Sequence, residues 1–284
     1  MEKYTFTKMN GAGNDFIMFD LDENPGLRIS TEFVKKICSR QYGIGADGVI
    51  SIRTDDGKDF VMEYFNSDGS LGSLCGNGAR CAIKFASLKE KFLGNETSFI
   101  CNTTVYNGKI QDSDEVTFYL NQPSKEKYNF KIKAHNQLIN ASFVDTGSPH
   151  IVILITDILK EGNNPNLSYK NLSDLDVLDI GREIRYSKDF HPDGVNVNFI
   201  ELYGDKLKIR TYERGVENET LACGTGSVAA AIVANKLYGY VTPVVLETIM
   251  GDTLLVEFSR ENDAFKNISL TGPAKVNFIG TFEF

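Results

Sequence analysis

The sequence lacks any long apolar run. Its purely apolar stretches, such as Ile151–Ile155, are far shorter than the ~20 residues that a membrane-spanning helix needs. The opening residues, MEKYTFTK, lack the apolar core of a secretory signal. We therefore expect a cytoplasmic protein with no membrane partner.

Cofactor and metal signatures are also missing. None of the five cysteines forms a Cys-x-x-Cys pair, and Cys75 and Cys81 have a poor spacing for zinc. An odd number of cysteines without an export signal argues against a disulfide framework. The glycine-rich segment Gly43–Gly48 lacks the strand-to-helix spacing of a dinucleotide-binding motif, and we interpret it as a tight turn. The sequence predicts no cofactor and no metal.

Composition indicates a folded protein that is not built for nucleic acid. The 284 residues are 42% hydrophobic and 24% charged, which is ordinary for one large or two smaller globular domains. A formal net charge of −8 argues against a nucleic-acid partner.

One structural plan occurs twice along the chain. Asp59–Ala86 and Lys206–Lys236 each contain a strand-like run, a polar turn and a Cys-Gly-x-Gly sequence that opens a helix. Upstream, Phe6–Phe19 and Phe143–Leu154 each read as a strand, a glycine turn and another strand. The repetition predicts an α+β fold of two pseudo-symmetric domains, each a mixed β-sheet or barrel wrapped around a central helix.

The boundary between the halves is predicted at the polar, proline-bearing stretch 121–127, NQPSKEK. The first half then covers 1–122 and the second half 123–272. A second polar segment, Lys160–Asn171, is interpreted as a loop within the second half.

The Cys-Gly-x-Gly sequences are chemically suggestive because of where they stand. A thiol at the first turn of a helix faces unpaired backbone N–H groups and the positive end of the helix dipole, and both favour the thiolate. The same N–H groups can bind a substrate carboxylate and stabilise charge that develops beside it. Two such helix starts facing each other predict a carboxylate site with Cys75 on one face and Cys223 on the other.

Burial is the alternative interpretation of each cysteine. We adopt it for Cys38, Cys81 and Cys101. For Cys75 and Cys223 the shared flanking glycines and helix starts favour chemistry over burial.

Several motifs together resemble those of diaminopimelate epimerases: MNGAGNDF, NSDGSLGSLCGNGARC, GSPH, GVNVNF and YERGVENETLACGTGS. The resemblance runs from Met9 to near the C-terminus. It implies two similar domains with the active site between them, and residues 273–284 that return to the first half. It also implies interconversion of LL- and meso-2,6-diaminopimelate without cofactor, in lysine and peptidoglycan precursor biosynthesis. The expected partners are this small-molecule substrate and a second copy of the chain in a homodimer.

The resemblance further implies site residues. Those that match the catalytic positions are Cys75, Cys223, His150 and Glu213. Those that match substrate-binding positions are Asn14, Gly48, Asn66, Gly76, Asn77, Ser148, Asn196, Arg214, Gly224 and Thr225. An arginine can hold a distal carboxylate through two hydrogen bonds, and amides suit both its ammonium and its carboxylate.

Structural interpretations stay open for part of this set. His150 can be a packed core histidine, Glu213 can form a surface ion pair with Arg214, and the asparagines are common turn formers. Two positions also depart from the family: Ser148 stands where many members have Asn, and Gly48 where some have Gln. Because the Ser148 side chain is shorter than that of Asn, we expect it to bind the substrate less well.

Three other functions compete with this hypothesis. A proline racemase or hydroxyproline epimerase would share the fold and the cysteine pair, but Arg214 and the amides favour a longer substrate with two charged ends. An isomerase or binding protein of the same fold would not need both cysteines. A redox or metal protein is the third alternative.

Overall fold

The computed structural model describes residues 3–72, 74–112, 114–161, 164 and 167–283. Residues 162, 163, 165 and 166 of the predicted polar loop lie outside this set. The chain divides into two compact units. Unit 1 comprises Met1–Tyr119 and Thr271–Phe284, and unit 2 comprises Leu120–Leu270.

The described residues contain four α-helices and seventeen β-strands. Unit 1 is built from β1 (Lys3–Gly11), β2 (Asn14–Asp20), α1 (Thr31–Cys38), β3 (Gly48–Thr54), β4 (Phe60–Asn66), α2 (Gly76–Leu88), β5 (Glu96–Cys101), β6 (Thr104–Ile110), β7 (Glu115–Leu120) and β17 (Lys275–Glu283). Unit 2 is built from β8 (Lys125–Ala134), β9 (Gln137–Asp145), β10 (Pro149–Leu154), α3 (Val177–Arg185), β11 (Asn196–Tyr203), β12 (Lys206–Glu213), β13 (Asn218–Thr220), α4 (Gly224–Tyr238), β14 (Val244–Glu247), β15 (Thr253–Glu261) and β16 (Ala264–Pro273). Two strands cross the boundary, since Leu120 of β7 belongs to unit 2 and residues 271–273 of β16 belong to unit 1.

The two units have the same strand pairing. In unit 1, β1 lies antiparallel between β17 and β2, β2 is parallel to β3, β3 is antiparallel to β4, and β4 is parallel to β5. In unit 2, β9 lies antiparallel between β8 and β10, β10 is parallel to β11, β11 is antiparallel to β12, and β12 is parallel to β14. This correspondence confirms the predicted duplication of a mixed α+β unit.

One helix in each unit is enclosed by strands. Helix α2 contacts β1, β2, β3, β4 and β6, and α4 contacts β9, β10, β11, β12, β14 and β15. Helix α4 is buried continuously from Gly224 to Ala234, in keeping with its run of small apolar residues. A helix that is apolar on all sides is stable only when it is surrounded by protein. The prediction of one central helix per half is therefore confirmed.

The outer helices α1 and α3 bury only one face each. In α1 the buried residues are Phe33, Val34, Ile37 and Cys38, and the charged Lys35 and Lys36 lie between them in the sequence. No helix among the described residues is long and apolar enough to cross a membrane.

The pairing brings three chain segments together at one end of each sheet. In unit 1, β2 and its parallel neighbour β3 begin at this end, at Asn14 and Gly48, and the antiparallel β4 ends there at Asn66. In unit 2, β10 and β11 begin at the corresponding end and β12 ends there at Glu213. Each cysteine-bearing helix follows shortly after the third of these strands.

Candidate active site

Cys75 occupies the N-cap position of α2. Its backbone is extended (φ −107°, ψ 117°), and its Sγ accepts a hydrogen bond from the Gly78 amide at 3.4 Å. The first hydrogen bond of the helical ladder runs from Ala79 N to Cys75 O at 2.8 Å. The amides of residues 76–78 precede this ladder, so they provide the anion-attracting helix start that the sequence predicts.

Asn14 directs its side-chain oxygen at Cys75. Its Nδ2 donates to Asp47 Oδ2 at 2.7 Å, and a carboxylate oxygen can only accept from it. The amide is therefore oriented with Oδ1 on the other side, 3.5 Å from Cys75 Sγ and 3.5 Å from Asn77 Nδ2. In this arrangement the thiol of Cys75 donates to Asn14.

A charged cluster that the sequence analysis did not predict supports Asn14. Lys8 contacts Asp15 at 2.6 Å, and Arg40 contacts both Asp15 and Asp47 at 2.8 Å. Burial acts to raise the pKa of Asp15, but hydrogen bonds from Arg40 and Lys8 outweigh it and hold the pKa at about 2. Burial raises the pKa of Asp47 above its usual range. In the sequence, Asp15 follows Asn14 and Asp47 precedes Gly48, both predicted site residues. This adjacency is the signal from which the two carboxyl groups could have been suspected.

A second unpredicted residue, Arg80, lies on the buried side of α2, about one turn into the helix. It is fully buried and donates to Gly76 O at 3.2 Å and to Asn77 Oδ1 at 3.0 Å. It therefore fixes the Asn77 side chain with its Nδ2 toward Asn14. A cation on the buried face of an alanine-containing helix needs partners, and this was the available clue.

The other two predicted residues of unit 1, Gly48 and Asn66, face each other across β3 and β4. The Asn66 side chain donates to Ser70 Oγ at 3.0 Å, and its backbone amide donates to Ser70 O. Asn66 is thus engaged in its own turn, as the structural interpretation of this residue expects.

Cys223 occupies the N-cap position of α4 in unit 2. Its backbone is again extended (φ −120°, ψ 111°), its side chain is buried, and the helical ladder begins with Ser227 N donating to Cys223 O at 2.9 Å. The amides of residues 224–226 precede the ladder. The Thr225 hydroxyl lies 3.7 Å from Cys223 Sγ.

His150 is fully buried beside this helix start. Its Nε2 lies 3.0 Å from Thr225 Oγ1, and its Nδ1 lies 3.2 Å from Asn198 Nδ2. Burial, together with the positive charge of Arg214, lowers the pKa of His150 to about 3. The imidazole is therefore neutral at physiological pH. Asn198 was not predicted, although strand alternation places it on the same face as Asn196.

The remaining predicted residues of unit 2 lie at the same end of the sheet. Asn196 accepts from Arg214 N at 2.8 Å and donates to Pro149 O at 3.1 Å, so its amide ties two segments together. Glu213 accepts from the Thr220 hydroxyl at 2.8 Å. Ser148 is buried in the turn between β9 and β10.

The structure thus brings together two groups of predicted residues by hydrogen bonding: Asn14, Cys75 and Asn77 in unit 1, and His150, Thr225 and Cys223 in unit 2. A further hydrogen bond, outside these two groups, joins the Arg214 backbone amide to the Asn196 side chain. The arrangement within each unit is a thiol at a helix start with one polar group beside it.

Solved structures share this fold. A phenazine biosynthesis protein of the PhzF family from Bacillus anthracis aligns with a TM-score of 0.70 at 14% identity, covering 100% of both chains. A hydroxyproline epimerase from Agrobacterium vitis aligns with a TM-score of 0.69 at 15% identity, covering 98% of this chain and 92% of its own.

Sequence comparison identifies the family, whereas the structural matches show only the fold. The diaminopimelate epimerase family model matches residues 6–125 and 142–277. The diaminopimelate epimerase of Chlorobaculum tepidum is 41% identical over 96% of this chain and 99% of its own, and that of Aquifex aeolicus is 38% identical over 97% and 96%. The chain belongs to the diaminopimelate epimerase family.

Proposed function

We propose that the protein interconverts LL- and meso-2,6-diaminopimelate by inverting one Cα, with Cys75 and Cys223 as the two acid–base groups. The observation that carries the proposal is the equivalent placement of these thiols, each at the N-cap of the enclosed helix of its unit. In each direction one thiolate removes the α-proton and the other thiol delivers a proton to the opposite face of the same carbon. The enzyme regains its starting protonation when the thiols exchange protons with solvent.

The helix starts supply the electrostatic part of this mechanism. A thiolate is a weak base for an α-proton, so the developing negative charge must be stabilised strongly. We assign this role to the first-turn amides of α2 and α4, which receive the α-carboxylate. Domain closure that excludes water would strengthen these interactions.

The distal end of the substrate requires groups for a second carboxylate and a second ammonium. We assign the carboxylate to Arg214, because a guanidinium binds it through two parallel hydrogen bonds. Asn14, Asn66 and Asn196 supply further polar contacts, and Ser148 and the backbone of Gly48 complete the set. Gly76, Asn77, Gly224 and Thr225 act at the α-carboxylate.

His150 and Glu213 assist in different ways. A pKa of about 3 makes His150 a poor proton acceptor at neutral pH, so we assign it an indirect role through Thr225. Glu213 is a carboxylate at the end of β12 and is the candidate for direct assistance to proton transfer.

Activity assays test the proposal directly. Purified protein is incubated with LL-diaminopimelate, L-proline and trans-4-hydroxy-L-proline, and the products are separated by chiral chromatography. We expect the protein to invert diaminopimelate only. The rate of this inversion should fall at least a thousandfold in Cys75→Ala and in Cys223→Ala, because each variant lacks one of the two proton-transfer groups. Turnover of proline in place of diaminopimelate would overturn the substrate assignment.

A matched control separates chemistry from folding. Cys38 is a buried cysteine in α1, so Cys38→Ala removes a thiol without touching either helix start. We expect this variant to retain most activity, and all three variants to show native circular dichroism. Full activity in Cys75→Ala or Cys223→Ala would exclude the two-thiol mechanism.

We also propose a cytoplasmic location and a homodimer. All five cysteines are free, which fits a reducing compartment. Strand β17 exposes Val276, Phe278 and Ile279, apolar side chains of the kind that a second copy would cover. A molar mass of one chain by light scattering would exclude the dimer, and recovery in the periplasmic or secreted fraction would exclude the location.

A further inference from the structure

The two units differ in the pair of side chains that lies under the cysteine-bearing helix. In unit 1, a Cβ added at Gly78 would lie 2.9 Å from Ile50 Cδ1 and 3.5 Å from Phe16 Cζ, so this helix start rests on an apolar pair. In unit 2, a Cβ added at Gly226 would lie 2.2 Å from Asn198 Oδ1.

Strand register shows that these positions are equivalent. Phe16 pairs with Gly48 across the parallel strands of unit 1, and His150 pairs with Asn196 across those of unit 2. Ile50 and Asn198 each lie two residues further along the second strand. His150 and Asn198 of unit 2 therefore occupy the places of Phe16 and Ile50.

Burying this polar pair requires compensation. His150 and Asn198 are both fully buried, and buried polar groups are costly unless they are hydrogen-bonded. Asn198 Oδ1 accepts from Thr211 Oγ1 at 3.0 Å, and its Nδ2 donates to the carbonyl of Ile151 at 2.9 Å. Because a backbone carbonyl can only accept, the orientation of the Asn198 amide is fixed.

The fixed amide determines the tautomer of His150. The second hydrogen on Asn198 Nδ2 is directed at His150 Nδ1, 3.2 Å away, which must then be the unprotonated ring nitrogen. The neutral imidazole carries its hydrogen on Nε2 and donates it to Thr225 Oγ1 at 3.0 Å. The hydroxyl hydrogen of Thr225 is left to point at Cys223 Sγ, 3.7 Å away.

We propose that Asn198 is a positioning residue that holds His150 in the Nε2–H tautomer, so that the Thr225 hydroxyl donates to Cys223 and stabilises its thiolate. The catalytic consequence rests on the proposed function above. The chain of hydrogen bonds itself, from Thr211 through Asn198, His150 and Thr225 to Cys223, exists whatever the substrate.

The tautomer can be measured in the unsubstituted protein. The chain has three histidines, His135, His150 and His191, so ring ¹⁵N resonances can be assigned with His135→Gln and His191→Gln variants. At pH 7 we expect the His150 Nε2 resonance in the protonated range and Nδ1 in the unprotonated range. A proton on Nδ1 would overturn the proposal without any variant having to fold.

The effect on Cys223 is measured by alkylation. Iodoacetamide is reacted at pH 7 and modification of Cys223 and Cys75 is followed separately by peptide mass spectrometry. Asn198→Asp keeps the side-chain shape but presents an acceptor, so the hydrogen of His150 moves to Nδ1 and Nε2 takes the Thr225 hydrogen. We expect alkylation of Cys223 to slow about tenfold, as a thiol pKa one unit higher would cause, and that of Cys75 to remain unchanged.

Two further variants make the result specific. Thr225→Val removes the hydroxyl and should slow Cys223 alkylation equally while the His150 tautomer stays Nε2–H. Ile50→Val alters packing at the equivalent place in unit 1 and should leave Cys223 reactivity unchanged. Unchanged Cys223 alkylation in Thr225→Val would overturn the proposal. Since neither measurement requires turnover, failure of the diaminopimelate assay alone would reject only the proposed function.

Discussion

The two proposed catalytic thiols have the same backbone setting but different neighbours. A side-chain carbonyl oxygen lies 3.5 Å from Cys75, and a hydroxyl lies 3.7 Å from Cys223. A carbonyl oxygen accepts from a thiol and favours its protonated form, while a hydroxyl that donates favours the thiolate. The duplicated helix starts have therefore diverged in the groups that act on the proton.

The low pKa of His150 also affects stability. In the unfolded chain a histidine has a pKa of ~6.5, whereas in the folded protein the pKa of His150 is about 3. Protonation therefore favours the unfolded state as the pH falls from 6.5 toward 3. We expect the free energy of unfolding to decrease by about 2 kcal/mol between pH 7 and pH 5 for this reason.

Urea titrations at pH 7 and pH 5 check this expectation. His150→Gln lacks the ionisable ring and should lose most of this pH dependence, whereas His135→Gln changes a partly exposed side chain and should retain it. An unaltered pH dependence in His150→Gln would show that burial of this ring is not its source.

At the residue scale, the residues that could be predicted from the sequence are those whose motif occurs in both halves of the chain. Cys75 and Cys223 could be singled out because the same flanking glycines occur twice. The roles of Asp47 and Asn198 could not be predicted, because they depend on hydrogen bonds to residues 33 and 48 positions away. Strand alternation could indicate that Asn198 faces inward, but its partner is set by the register of β10 and β11.

At the element scale, each cysteine-bearing helix begins close to a strand that lies beneath it. This close approach requires glycine as the third residue of the helix, where a side chain would collide with the strand. At Gly226 the nearest atom, Asn198 Oδ1, belongs to a buried side chain held by three hydrogen bonds. The second glycine of each motif is therefore explained by packing, independently of the proposed chemistry.

Gly226→Ala tests the packing requirement. The added Cβ would lie 2.2 Å from Asn198 Oδ1 and 3.2 Å from Cys223 Sγ, so the helix start or the amide must shift. We expect a loss of about 1–3 kcal/mol in the free energy of unfolding, the usual cost of overpacking, together with a severe loss of epimerase activity.

Gly57→Ala is the matched control. An added Cβ there would meet only Asp55 Oδ2 at 3.5 Å, an ordinary contact. In thermal denaturation, Gly226→Ala should have a clearly lower melting temperature than Gly57→Ala. Equal melting temperatures would show that the α4 start has room for a side chain.

At the scale of the whole molecule, unit 1 is discontinuous in sequence. The chain leaves it after Tyr119 and returns at Thr271, and the returning segment supplies β17. The ring of Phe282 on β17 packs against Phe6, Phe19 and Phe33 at centroid distances of 6.2, 5.9 and 5.7 Å. The returning segment thus contributes to the core of unit 1 as well as to its sheet.

Phe282→Ala measures this contribution. Fully buried phenylalanines lose 3–5 kcal/mol on truncation, and for a half-buried ring we expect roughly 2 kcal/mol from the free energy of unfolding in urea. Thr281→Ala, on the same strand but with an exposed side chain, should change it by roughly 0.5 kcal/mol or less. Similar losses in the two variants would mean that β17 is held by its backbone pairing alone.

The discontinuity of unit 1 imposes an order on events at the ribosome. Strand β1 ends at Gly11, and its partner β17 begins at Lys275, after all of unit 2 has been made. At the usual rate of about 5–20 residues per second, β1 waits roughly 15–50 s for that partner. During this interval one backbone edge of β1 is unpaired and open to other nascent chains. Unit 2, by contrast, has been synthesised completely before β17 of unit 1 is made. A chaperone bound to β1 during synthesis would therefore shield this edge until β17 is made, whereas a translational pause would prolong its exposure.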